Sequence, residues 1–189
     1  MTAPPVRILR VPSIVTFHQL HLIIQAAFDY TDSHLYRFKV RALRLPGERK
    51  PVCPVDPMEI MTLDDSLLDP HHEDFMRAEE LERMKKSREV KLWQVYESTE
   101  WRARGVFMDY QYDFGSPKHF DIQLMGQADP MIGKAIGKRV DQDVSCLAGE
   151  GRAIDEDDDC APRTGPWKWS ITQVNKDLKK LMRLKVYTK

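Results

Sequence analysis

Cysteine is scarce in this chain: only Cys53, Cys146 and Cys160 occur in 189 residues. Three thiols at such spacing make neither a disulfide framework nor a CxxC-based zinc site. No apolar run approaches the roughly 18 residues of a membrane span, and the N-terminus lacks the apolar core of a signal peptide. An excess of either charge is also missing. The 29 basic and 29 acidic residues balance, which argues against a dedicated nucleic-acid binder. The expectation is an intracellular protein, in cytoplasm or nucleus and not secreted, folded as one domain over residues 1–189.

Complete catalytic motifs are missing too. There is no G-x-S-x-G and no H-E-x-x-H. Asp113-Phe114-Gly115 spells a kinase triplet without a kinase's glycine-rich loop or H-R-D. The run from Gly133 to Arg139 has one residue too few between its glycines for a P-loop, and Arg139 stands where Ser or Thr belongs. Asp155, Asp157 and Asp159 have Ca²⁺-loop spacing, but Cys160 replaces the required glycine and Pro166 the bidentate glutamate.

What is present begins with Val15 to Val40. Thr16 and Gln19 fit a capping box, with Val15 and Leu20 placed as a hydrophobic staple. Phe17, Leu20, Ile23, Ile24, Ala27 and Phe28 gather on one helical face, with His18 and Gln25 opposite and His21 at the edge. Turn residues Asp29 to Ser33 follow, and His34 to Val40 alternates with strand period. Val6 to Val11 alternates as an earlier strand. Residues 44–57 are proline-rich loop, and Glu59 to Leu63 is a short strand before a helical turn at 64–68.

The stretch from His71 to Val90 is polar and helix-forming, with Glu79/Arg83 and Glu82/Lys86 as i,i+4 pairs. It reads as a helical surface insertion near 70–90. Lys91 to Tyr96 is expected to be helical. Gly105 to Gly115 and His119 to Met125 are expected to form a hairpin. Lys138 to Cys146 is a further candidate strand, and Leu147 to Gly165 a loop whose acids, Asp155 to Asp159, are solvated. Ser170 caps a final amphipathic helix with a basic outer face. The fold class is therefore α+β: a small mixed or antiparallel sheet packed by an N-terminal amphipathic helix and a C-terminal helix.

Candidate chemistry is confined to a few polar side chains. His18 and His21 have a spacing that can chelate metal, but no third ligand is fixed. His34 opens one strand, Asp113 ends another and His119 opens a third. Neighbours in sequence tend to neighbour in space, so these three are placed to form a His–carboxylate–His group for acid–base work or a metal. Fixing turns is their simpler role. The basic C-terminal helix is expected to be a solvated face, with phosphate contact the alternative.

Three blocks carry a family resemblance. Residues 4–40 are similar to a strand followed by L-H-x-x-I-Q-x-A-F-x-W and H-L-H-x-F. Tyr110-Gln111-Tyr112-Asp113-Phe114-Gly115 with His119 resembles Y-x-Y-D-F-G-D-x-W-x-H. Cys146 to Gly151, with Asp158-Asp159-Cys160 and Gly165-Pro166-Trp167, resembles C-x-x-G-x-x-A-x-P-P-E-D-x-G-G. The chain thus resembles the plasmid pRiA4b ORF-3-like family, which includes TnpR-like insertion-sequence passenger proteins. Tyr30 and Tyr36 stand for a Trp and a His of the pattern, and Ser116-Pro117-Lys118 is one residue short.

The resemblance implies an α+β fold and no established reaction. It assembles a candidate polar cluster of His21, His34, Asp113, His119 and Asp159, with no assigned catalytic residue, metal or cofactor. A non-enzymatic interaction module with a protein partner and no membrane association is the expectation. The alternative is a metal-dependent hydrolase or nuclease using the His/Asp residues. Nucleic-acid association linked to mobile-element ancestry is weaker.

Overall fold

The computed structural model describes residues 4–43, 47, 59–64, 82–98, 105–127, 129, 131, 143–151, 156 and 169–184. Along the chain run β1 (Val6–Arg10), α1 (Phe17–Phe28), β2 (Tyr36–Ala42), β3 (Glu59–Asp64), β4 (Met84–Lys85), α2 (Leu92–Tyr96), β5 (Val106–Tyr112), β6 (Lys118–Gln123), β7 (Ser145–Glu150) and α3 (Ile171–Leu181). The class is mixed α+β, as expected. Contacts gather into two compact units, one of Met1–Val15, Gln19–Ser33 and Gln127–Lys189, the other of Thr16–His18 and His34–Gly126.

The second unit holds a five-stranded sheet in the order β4-β3-β2-β5-β6. All its pairings are antiparallel except β3 with β4. Period-2 alternation puts Tyr36, Phe38, Val40, Leu63, Met108, Tyr110 and Tyr112 on one buried face. Their rings interlock: Phe38 lies 4.8 Å from Tyr110 and 5.3 Å, edge-on, from Phe17. Buried aromatics in this geometry stabilise by about 0.5–1.5 kcal/mol per pair beyond area burial.

Within this unit, Phe17 and His18 at the start of α1 are held by backbone. The amides of Phe17 and His18 donate to the carbonyls of Val90 and Ser87, at 3.0 and 3.1 Å. Two of the donors every helix start leaves over are met in this way. Further along, α1 departs from the expected two-sided pattern. His18 and Gln25, expected on a solvated side, are 8% and 3% exposed, and His21 is fully buried. The burial is offset because each of the three side chains has at least one hydrogen-bond partner. His18 Nδ1 meets the Tyr36 hydroxyl at 2.8 Å, which in turn meets Ser87 Oγ at 2.7 Å.

In the first unit, β1 and β7 form an antiparallel pair. Arg7 lies between the rings of Phe28 and Trp169, 4.9 and 4.8 Å from their centroids, and donates to the carbonyls of Ala27 and Glu150. Helix α3 starts at Ser170, whose hydroxyl accepts from the Gln173 amide. Its Asn175 closes an edge of β7 like one rung of a ladder. The Asn175 side chain accepts from the Cys146 amide and donates to the Cys146 carbonyl, both at 2.9 Å.

Three expectations need correction. The helical reading of 71–90 fails at its end: Met84–Lys85 pairs in parallel with β3, and a turn closes from Lys86 to Glu89. Burial of Met84 beside the sheet outweighs local helix propensity; residues 71–81 lie outside the described set, as do residues 65–68 of the expected turn, Asp64 being the last residue of β3. Of the strand expected over 138–146, residues 138–142 lie outside the described set; the described strand runs from Ser145 to Glu150, through what reads as loop. Gly149 permits this, since a Cβ there would meet the Val6 carbonyl oxygen at 2.6 Å and the Trp169 ring at 2.8 Å. The acidic run is not uniformly solvated, because Glu156 is only 3% exposed.

Candidate functional site

The sharp turn after β5 builds a connected polar site. Asp113 adopts a left-handed backbone, φ 61°, a conformation that Asp tolerates better than most residues. Its Oδ1 accepts from the amides of Gly115 and Ser116, at 3.0 and 3.2 Å, and its own amide donates to the Leu35 carbonyl. His34 Nδ1 lies 3.8 Å from Oδ1 and Lys118 Nζ 3.5 Å from Oδ2. The Tyr112 hydroxyl accepts from the His34 amide, and the two rings meet edge-on. Burial works against ionisation of Asp113. The two amides, His34 and Lys118 outweigh it and hold this carboxyl below its ordinary range.

His119 does not join them. It follows Lys118 on β6, so the strand's alternation turns it to the opposite face of the sheet. There His119 Nδ1 meets Asp109 Oδ1 at 3.1 Å. The same polar face carries Arg37, whose Nε donates to Gln111 at 2.8 Å while its guanidinium lies 4.7 Å from the Phe114 ring centroid. Across the strands, Lys39 faces Asp109, and Asp109 faces Asp121. These side chains hold one another in place on a half-exposed surface.

The first unit holds two further arrangements. His21 Nε2 meets Asp32 Oδ1 at 2.6 Å, and Asp32 is positioned by its amide donating to Gln25 Oε1 at 3.0 Å. Glu156 crosses a long stretch of sequence to the turn after α1. It accepts from the amide and hydroxyl of Thr31, at 2.9 and 2.8 Å, and from Ser33 Oγ at 3.1 Å. Asp159 lies outside the described residues. Among the described residues no group of three His, Cys, Asp or Glu side chains is arranged to hold a metal ion, and no helix is long and apolar enough to cross a membrane.

A family model described as "Plasmid pRiA4b ORF-3-like protein" matches residues 2–164. The chain belongs to the plasmid pRiA4b ORF-3-like family. No curated protein matches it. Among solved structures it is similar to a protein of unknown function, MM3350, from Methanosarcina mazei Go1. That match has 18% identity and a TM-score of 0.50 and covers 96% of this chain and 76% of the other, which speaks to fold alone. Of the residues singled out from the pRiA4b ORF-3-like pattern, His34 and Asp113 come together, His119 pairs elsewhere, and His21 pairs with Asp32.

Sequence reasoning missed Lys118, Asp109, Asp32 and Glu156. For Glu156 a signal existed. In C-x-x-G-x-x-A-x-P-P-E-D the glutamate stands ten places after the cysteine, and ten places after Cys146 is Glu156. Aligning the acidic pair with Asp158-Asp159 passed over it.

Proposed function

We infer that this pRiA4b ORF-3-like chain is a non-enzymatic binding module that presents the polar face of its five-stranded sheet to a protein partner. One observation carries the reading: Arg37 and the His119–Asp109 pair on that face are already ordered by their neighbours. Arg37 is held by Gln111 and Phe114, and His119 by Asp109. Charges fixed before encounter lose less side-chain entropy on binding and give a partner a defined pattern to complement. The aromatic face opposite is occupied with packing.

A metal-dependent hydrolase draws support from the approach of His34 to Asp113. Yet both oxygens of Asp113 are committed, to the turn amides and to Lys118, and His119 faces the other way. The binding reading therefore accounts for more of the geometry.

The test is site-specific photo-crosslinking in the native cells. A photoreactive residue at Arg41 or Gln123, both on the polar face, is expected to give an adduct to one identifiable protein, and one at exposed Gln173 on α3 is not. No adduct from the polar face, or one from Gln173 alone, would overturn the reading.

A further inference from the structure

The five-stranded sheet ends, among the described residues, in β6. This outermost strand carries an electrostatic fault. Asp121 stands directly opposite Asp109, and like charges in that position are destabilising. Asp109 is served by His119 and faces Lys39. Asp121 has neither hydrogen bond nor ion pair among the described residues. His119 uses Nδ1 on Asp109, its side chain is 54% exposed, and its Nε2 is hydrogen-bonded to nothing among the described residues. On the aromatic side Phe120 and Ile122 stay half-buried at the edge. Immediately beyond β6, Leu124 and Met125 are 53% and 80% exposed.

We propose that β6 pairs antiparallel with β6 of a second copy of this chain, with Phe120 of each on the two-fold axis. Antiparallel pairing keeps the sum of paired residue numbers constant, and faces match only when that sum is even. Centring on Phe120 sets His119 across from the partner's Asp121, and Asp121 across from the partner's His119. Each histidine then lies between a carboxylate of its own chain and one of the other. Centring on Asp121 or on His119 would instead set like residues against each other. On the aromatic side the two Phe120 rings meet, flanked by the half-buried Ile122 of each copy. Every contact off the axis is made twice, as an isologous interface requires. The occupant is a second copy because the strand is complementary to itself in this one register. The resulting sheet carries two copies of the polar face side by side.

Sedimentation equilibrium of the full chain over roughly 1–300 µM tests this, the span suiting the weak dimer of a small interface. A monomer–dimer equilibrium is expected. Asp121→Lys should weaken it about tenfold or more, since two His–Asp contacts go at once. The swap H119E/D121K should restore it. Asp121 is exposed, so circular dichroism of D121K should match the parent. A monomer at every concentration, or a dimer indifferent to D121K, would overturn the proposal. The crosslinking test at Arg41 stands apart from this result, so the two readings fail separately.

Discussion

Lys118 and His119 adjoin in sequence and serve opposite faces of one sheet: Lys118 Nζ lies 3.5 Å from Asp113, and His119 Nδ1 lies 3.1 Å from Asp109. The alternation of a strand separates what spacing alone would put together. One face closes a turn and buries a cation, and the other displays charge.

Replacing Asp113 by Ala removes the acceptor of two turn amides and the carboxylate beside a lysine that is 5% exposed, leaving that lysine without its counter-charge there. A loss of about 2–4 kcal/mol is expected in urea unfolding. Adding Lys118→Met should recover a substantial part of it. Equal loss in the single and double variants would show that the Lys118 contact contributes nothing.

The same carboxyl sets a pH dependence. Its pKa in the folded chain is depressed, so the folded state binds fewer protons there than the unfolded state. The resulting stability is present above the unfolded carboxylate value of about 3.9 and is lost as pH falls through the folded value. Asp113→Asn, which keeps an acceptor for the turn, should flatten the acid limb of the stability curve. An unchanged acid limb would remove Asp113 from the account.

Glu156 secures the turn after α1 by three hydrogen bonds. Glu156→Ala should destabilise by about 1–3 kcal/mol and speed hydrogen exchange of the Thr31 amide. If that amide exchanges at the parent rate, the contact is not formed in solution.

Asn175 and Gly149 hold β7 in place. Asn175→Asp keeps the acceptor for the Cys146 amide but sets a carboxylate against the Cys146 carbonyl. It should cost at least as much as Asn175→Ala, about 1–3 kcal/mol. Gly149→Ala should cost about 1–3 kcal/mol through overpacking against Val6 and Trp169. Burial pushes the Cys146 thiol up, so it should react slowly with an aromatic disulfide near pH 8, and faster in either variant. Parent-like melting of both would refute the rung and the close approach.

Burial pushes the Tyr96 phenol to about 12. The folded state keeps this proton longer than the unfolded state, so the contribution is full below the unfolded value of about 10 and fades as pH rises toward the folded one. In an absorbance titration Tyr96→Phe should remove a late phenolate step. Loss of an early step instead would place Tyr96 in solvent.

Local periodicity made α1, β2 and the β5–β6 hairpin legible, because each signal lies within a dozen residues. The pairing of β1 with β7 was not, since nothing local joins Leu9 to Cys146. Lys118 gives no signal in the sequence, because lysine is seldom buried; its burial is offset by the Asp113 carboxylate and the Ser116 carbonyl. His119 was grouped with Asp113 because a hairpin brings them near in sequence. Which face it takes depends on the parity of one residue after a left-handed turn.

Binding and folding should therefore separate by face. Once crosslinking has identified a partner, its affinity for Lys39→Gln and for Asp113→Asn, each measured beside a urea melt near neutral pH, decides the matter. Lys39→Gln should bind at least about fivefold more weakly while melting within about 0.5 kcal/mol of the parent, and Asp113→Asn should bind as the parent does. Parent-like affinity in Lys39→Gln, with binding lost in folded Asp113→Asn, would contradict the assignment of recognition to the polar face.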